Sequence, residues 1–387
     1  MRLAVRRYLK QASEAVSVHQ LLRKRVGGYK GRRTVVAVWK ASNLLVGASR
    51  RYRMASPLRF RVSERGWGEG EFRRRVVQPL EDKFGVSVES TERPDGHEGR
   101  VLRMRNGDFA LFAWNGDRGY WTGNTETPKV LWRTEKEEFR SVGGSVADWA
   151  EEQLLTALKN EAPWLERYSG VAEFFLPVLM SKDGRETARD FLRTGAGFPD
   201  TDADVALDFY DDLVSSGIFN GARYTMASKL GTSEGHDRVR MEATMGEYNA
   251  AKLLHDAGYG VEPEIGMDSG HSLDFRARRN DDTDTIVEVT RPTPTGRRKA
   301  STPEQAVRET AAKKTEAGGQ LSQNDGVLFV DCSSFDDKAW QRVVNRKPTT
   351  GHEPAVVYRT RPGEKPVTEA YLRGHTRLRL SDAVAWV

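Results

Sequence analysis

Apolar and polar positions alternate in three successive regimes along the chain. Between residues 54 and 145, Phe72, Val76, Leu80 and Phe84 recur every four residues, the spacing of one helical face, with Pro79 as a local defect in it. Two Asn-Gly pairs follow, Asn106-Gly107 and Asn115-Gly116, flanked by Arg100–Arg105, Asp108–Trp114 and Arg118–Trp121. Asn-Gly supplies the positive φ angles of a type I′ turn, so the flanking segments are expected to be strands of an antiparallel meander. Its aromatics, Phe109, Phe112, Trp114, Tyr120, Trp121 and Trp132, could stack bases, but on a small sheet the usual use is core.

From 146 to 240 the period is helical. Helices are expected over Val146–Glu161, Val171–Met180, Arg185–Leu192 and Asp202–Ser216, with Pro163 as a break. Asn220-Gly221 inside Ile218–Met226 predicts a hairpin, and helices followed by a hairpin outline a winged helix. The segment in the recognition-helix position carries Asp202, Asp204, Asp208, Asp211 and Asp212 and no Lys or Arg, so phosphate would repel it. This region is expected to be a spacer or a protein-contact surface.

From 241 to 387 the periods interleave. A helix over Thr244–Ala257 carries Glu247 on the same stripe as Ala250, Ala251 and Leu254, either meeting a cation there or reaching water near the helix N-terminus. Strands Tyr259–Ile265, His271–Arg278 and Asp284–Thr290 follow, then a helix from Pro303 to about Gly318, a buried strand Gly326–Cys332, a helix Asp336–Val344 and a strand Ala355–Arg359. The core order is α-β-β-β-α-β. If the hairpin between the second and third strands is centred on Asp281, Asp274 and Glu288 face each other with Cβ atoms about 4.5–5.5 Å apart. Two carboxylates that close repel unless a cation lies between them, and a hard ion such as Mg²⁺ suits that spacing. The competing reading is two exposed acids paired with Arg276 or Arg278.

Composition narrows the classes. The chain has 387 residues, 38% hydrophobic, which is enough for several buried cores, and a single cysteine, Cys332, which excludes a disulfide framework or a CxxC zinc module and points to a reducing, cytoplasmic setting. No stretch approaches a membrane-spanning length of uncharged apolar residues. The net charge of +6 divides unevenly: residues 1–53 hold 14 Lys and Arg against Glu14 alone, which leaves 47 bases and 54 acids, a net of −7, for the rest. The basic extension reads as translated sequence upstream of a start at Met54, as a nucleic-acid-binding arm, or as a targeting segment led by Arg32-Arg33. Either way, overall basicity is no argument that the folded part binds nucleic acid.

Three short motifs in this order, Glu247 in the first helix, Gly-x-x-x-Asp ending at Asp274, and Glu-x-Thr at Glu288-Val289-Thr290, resemble the PD-(D/E)XK nuclease superfamily, in particular its restriction-endonuclease-like and archaeal Holliday-junction-resolvase-like branches. The likeness covers about 90–115 residues; from Met54 the whole chain also resembles a haloarchaeal family without an assigned activity. The resemblance implies Mg²⁺- or Mn²⁺-dependent hydrolysis of DNA phosphodiester bonds, with Asp274 and Glu288 as metal ligands, the Val289 carbonyl as a third donor and Glu247 as accessory carboxylate. Where the family has Lys, this chain has Thr290; Lys313 or Lys314 on the next helix is expected to take that place. The alternative is a catalytically degenerate fold that binds nucleic acid or protein as a regulator or scaffold. Arg297, Arg298 and Lys299 are candidate phosphate contacts or a solvated loop. Glu262 and Glu264, flanking Pro263, could join the metal, though a solvated edge is the commoner use, and His255, His271 and Cys332 read as structural.

The expected molecule is thus α+β and multidomain: a basic extension (1–53), an α+β meander domain (54–145), a helical, winged-helix-like region (146–240) and a restriction-endonuclease-like α/β domain (241–387). DNA is the expected partner and a membrane is not; a second copy of the chain, or a protein docked on the helical middle, stays open.

Overall fold

A computed structural model of the chain describes residues 58–131, 139–182, 184–231, 238–266, 272–279, 284–293, 302–316, 321 and 326–387. Residues Met54–Val387 form one compact unit. The protein is a mixed α+β structure built on two sheets.

The first sheet has strands β1 (Arg59–Ser63), β2 (Val86–Ser90), β3 (Glu98–Met104), β4 (Phe109–Trp114), β5 (Gly119–Gly123) and β6 (Arg140–Ser141), ordered β2-β3-β4-β5-β1-β6 with every pairing antiparallel. The meander is as expected, but the turns are not type I′: Gly107 has a φ of 83° while neither Asn106 nor Asn115 has a positive φ. At the second turn the Asn115 side chain instead accepts the amides of Asp117 and Arg118 at 2.9 and 2.8 Å, an Asx turn. The four-residue apolar spacing is realised by α1 (Glu69–Phe72), a π-helical segment at Arg73–Val77 and α2 (Gln78–Phe84). The wide turn lies just before Pro79, which lacks the amide that a regular turn would use. Phe72 stacks on Phe112 and Trp114 with centroids 5.6 and 4.7 Å apart. Phe109, Phe112, Trp114 and Trp121 are buried, so they form core rather than a base-stacking platform; Trp132 lies outside the described residues.

Helices α3 (Ser145–Glu161), α4 (Ser169–Phe174), α5 (Leu176–Leu179), α6 (Arg185–Arg193), α7 (Ala203–Ser215) and α8 (Arg223–Leu230) follow. The hairpin expected at Ile218–Met226 is absent: α8 occupies its second half, with Met226, Ala227 and Leu230 buried at helical spacing. No winged helix results. The acids of α7 serve the fold itself. Asp202 caps it through the Asp204 amide at 2.8 Å, Asp204 and Asp208 pair with Arg167 at 3.2 and 2.7 Å, and Asp211 accepts the Val171 amide at 2.8 Å.

Next comes α9 (Arg238–Asp256), beginning earlier than the apolar stripe suggested, and the second sheet: β7 (Gly260–Gly266), β8 (Ser272–Arg278), β9 (Thr285–Thr290), β10 (Val327–Asp331), β11 (Ala355–Arg361), β12 (Val367–Arg373) and β13 (Ala385–Trp386). Helix α10 (Pro303–Thr315) connects β9 to β10, and α11 (Asp337–Arg346) connects β10 to β11. The strands lie in sequence order; β7–β8–β9 and β11–β12 are antiparallel, and β9–β10–β11 are parallel. Phe275, Val287, Val289, Phe329 and Val356 share a core with α9 and the preceding helices, and Leu328, Val330 and Val357 share a second with α10 and α11. This strict alternation is what covering both faces of the parallel strands requires.

Candidate functional site

The site forms where β8 and β9 part. Phe275 faces Val287 and Arg276 faces Ile286, the register expected from the loop, and Asp274 and Glu288 would make the next pair outward. There the ladder gives way to bonds between side chains and backbone: the Asp274 carboxylate accepts the Val289 amide at 2.8 Å, and the Asp274 amide donates to Glu288 at 3.3 Å. The alternation of β8 breaks at the same point, since Phe275 and Ala277 belong to the larger core and Leu273 to the other. Both acids are buried, Asp274 to 9% and Glu288 to 0% residual exposure. Arg276 and Arg278 pair instead with Glu262 and Asp284, so the reading of two exposed acids on a solvated hairpin fails.

Glu264 joins from β7, correcting its reading as a solvated edge. Its neighbours Pro263 and Ile265 pair with Phe275 and Leu273, while Glu264 takes a left-handed φ of 57°. A non-glycine residue there costs about 1–2 kcal/mol. The carboxylate so directed accepts Ser272 Oγ at 2.9 Å and the ammonium of Lys229. Glu262, two residues earlier, does stay at the edge with the arginines.

Helix α9 brings Glu247. It sits in the middle of the helix and not at its start, so the expected escape to water near the N-terminus does not apply. Gly246 allows the close approach: a Cβ there would lie 3.1 Å from Arg291 Cβ and 3.4 Å from Asp331 Oδ2. Beneath runs a buried polar network. Arg291 pairs with Asp331 at 3.3 Å, and Asp331 also accepts Asn249 Nδ2 and the Ser333 amide, each at 2.9 Å.

Two lysines meet four carboxylates. Lys229, in the last turn of α8, contacts Glu247 and Glu264 and lies 3.9 Å from Asp274. Lys314 on α10 is bonded to Glu288. Lys313 is exposed, so of the two candidates only Lys314 reaches the cluster. Thr290 is buried, paired with Val330 in the ladder, and makes no side-chain hydrogen bond to the cluster among the described residues. The Val289 amide donates to the Asp274 carboxylate. Arg297, Arg298, Lys299 and His271 lie outside the described residues. His255 is exposed and Cys332 is buried.

The electrostatics follow from four acids and two ammonium groups. Burial, then the neighbouring Asp274 charge, raises the Glu247 and Glu288 pKa values above the ordinary range, and the lysines only partly offset this. Burial pulls the Lys229 and Lys314 values down, but the surrounding carboxylates outweigh it and hold both ammonium groups charged. Glu264, less buried, is shifted down despite its burial, mainly by Lys229. Ionising all four acids together is therefore costly, and a further cation would favour their charged forms. Ligand oxygens of Glu247, Glu264 and Asp274 lie within 4.8 Å of one another, a donor set made only of oxygens such as a hard divalent ion takes.

Sequence reasoning missed Lys229 altogether. It lies in a helix read as part of a hairpin, and nothing in its own neighbourhood separates it from a surface lysine. Among the described residues no helix is long and apolar enough to cross a membrane. No curated protein and no solved structure matches the chain. Residues 55–380 match the model of a family of unknown function, DUF5784, and the chain belongs to that family.

Proposed function

We propose that the C-terminal part of the chain is a restriction-endonuclease-like domain of the PD-(D/E)XK type that hydrolyses DNA phosphodiester bonds with Mg²⁺ or Mn²⁺. The observation that carries the reading is the set Asp274, Glu288 and Lys314, gathered where β8 and β9 diverge, with Glu247 arriving from the preceding helix. The order α9-β7-β8-β9-α10-β10 supports it, as does Lys314, which stands beside Glu288 where Thr290 cannot supply a charge.

The donor chemistry fits the metal. Oxygen ligands converge, and an ammonium group already occupies the space among three of them. Asp274 and Glu288 are the expected ligands, with Glu247 and Glu264 within reach of Asp274. When bound, such an ion lowers the pKa of an attacking water and stabilises charge building on the phosphate. The chain's own residues do the positioning. The Val289 amide holds the Asp274 carboxylate, the Asp274 amide holds Glu288, and both bonds come from backbone fixed in the sheet. Lys314 places a positive charge next to Glu288, where it can hold a water or a phosphate oxygen.

The test is cleavage of linear, nicked, flapped and branched DNAs with Mg²⁺ or Mn²⁺, comparing wild type with Asp274→Ala, Glu288→Ala and Lys314→Met. Activity lost in all three variants, by about 10²-fold or more, supports the reading. Cleavage that survives Asp274→Ala and Glu288→Ala removes the site assignment. DNA bound with steep salt dependence but never cut points to a degenerate binding domain, the reading favoured by Thr290 in the lysine position.

A further inference from the structure

Lys229 is out of place as a structural lysine. It comes from α8, far earlier in the chain than the strands it serves, yet its ammonium contacts Glu247 and Glu264 and approaches Asp274 at 3.9 Å. Those three residues are the ones whose oxygens converge as a ligand set. The helix that carries it is firmly held. Met226, Ala227 and Leu230 are buried in the main core, and Arg223 at its start, 2% exposed, donates to Glu151 at 3.0 Å. Thr244 Oγ1 on α9 fixes the backbone itself by donating to the Lys229 carbonyl at 3.1 Å. The side chain is the part that can swing: four methylenes carry the ammonium group, and the side chain as a whole is 17% exposed.

We propose that Lys229 is a tethered cation that occupies the divalent-metal position and must swing out for the metal to bind. The proposal rests on the metal-dependent reading of the site and adds a regulatory element to it. One positive charge among three carboxylates offsets part of their repulsion in the apo protein, and a divalent ion drawn to the same cluster would be repelled by that ammonium group at close range. Metal affinity is then the intrinsic affinity of the carboxylates reduced by the cost of displacing Lys229, so the helical region sets how much metal the site demands. Lys314 stands beside Glu288, the fourth acid, and the displacement concerns the three converging carboxylates that Lys229 contacts.

The experiment has two arms on the full chain. In the first, Mn²⁺ binding is measured by titration calorimetry for wild type, Lys229→Met and Asp274→Asn. Lys229→Met should bind about ten-fold tighter or more, and Asp274→Asn should lose binding. In the second, wild-type lysines are acylated with and without saturating Mg²⁺ and mapped by mass spectrometry. Metal should speed labelling of Lys229 several-fold and leave exposed Lys338 unchanged. Unchanged labelling of Lys229 at metal saturation overturns the displacement, whatever the variant does, and this arm does not depend on the variant folding. If wild type binds Mn²⁺ in an Asp274-dependent way but Lys229→Met binds no tighter, the tethered cation is wrong while the metal site stands. If neither protein binds Mn²⁺, the metal reading fails and takes the proposal with it.

Discussion

At the first sheet carboxylates stand at the surface beside arginines: Glu89 on β2 accepts Arg103 on β3 at 3.0 Å, and Glu69, on the covering helix α1, accepts Arg100 on β3 at 2.9 Å. In the second, Glu264, Asp274 and Glu288 lie on three neighbouring strands, the last two buried and Glu264 half-buried, and share two lysines with Glu247. The first arrangement leaves its charges in water and stabilises through apolar burial. The second removes charges from water and recovers only part of the loss, which a fold sustains where the charges are used. On the proposed reading the first sheet is the scaffold, and the second carries the chemistry.

The largest effect should come from the polar network beneath the site. Asp331 and Arg291 are 0% and 1% exposed in their side chains, and Asp331→Ala would remove the main counter-charge of a buried guanidinium. Loss of one partner of such a pair costs about 3–5 kcal/mol. Urea unfolding would measure it. A loss below about 1 kcal/mol, the range of surface pairs, would mean that water reaches Arg291 and that the contrast between the sheets is weaker than the burial indicates.

Next comes the apolar side of the comparison. Phe112 is fully buried between Trp67 and Phe72, and Phe112→Ala should cost about 3–5 kcal/mol, at the lower end if the stacked rings close over the gap. The same denaturation series would show whether apolar packing in the first sheet carries as much as one buried ion pair in the second. The scaffold role predicts, in addition, no change in Mn²⁺ affinity for this variant.

Legibility in the sequence divides along the same line. The meander, the α-β-β-β-α-β order and the register that opposes Asp274 to Glu288 are all local or periodic, and chain periodicity encodes them directly. Lys314 was within reach because it follows β9 on the next helix. Lys229 was not, and Glu264 was legible only as the less favoured of two readings. Lys229 sits in a helix hidden by the Asn220-Gly221 turn signal, although Met226, Ala227 and Leu230 have helical spacing; a turn dipeptide outweighed a short periodic run. Glu264 reads as an edge residue because Pro263 suggests one, and only the left-handed backbone at Glu264 turns its carboxylate inward. Both depend on contacts between distant segments, for which one sequence carries no signal.

A smaller effect of opposite sign should come from Glu247→Gln, measured in EDTA. Burial and the Asp274 charge raise the Glu247 pKa in the folded state, so folding favours its protonated form. That contribution is complete below the unfolded value of about 4.3 and is lost as pH rises through the folded value. Gln is neutral throughout, and Lys229 keeps Glu264 and Asp274 as partners. The variant should therefore match wild type near about pH 4 and gain on it with rising pH, by about 1 kcal/mol at neutral pH or above. Thermal unfolding across that range would show the divergence; equal loss at every pH would show that Glu247 acts mainly as a hydrogen-bond partner.

The smallest effect completes the contrast at the surface of the first sheet. Glu89→Gln removes the negative charge facing Arg103, where both side chains are largely in water, at 46% and 40% exposure. Such pairs contribute about 0.2–1 kcal/mol because solvent screens the attraction and two long side chains lose freedom to form it. Arg103 also keeps its place over the Phe109 ring, 5.0 Å from the centroid, so the substitution leaves its packing intact. The expected loss is about 0.5 kcal/mol or less, shrinking as salt is added. A salt-independent loss above about 1 kcal/mol would place this pair with the buried ones, and the separation of a scaffold sheet from a chemical sheet would no longer rest on how each treats its charges.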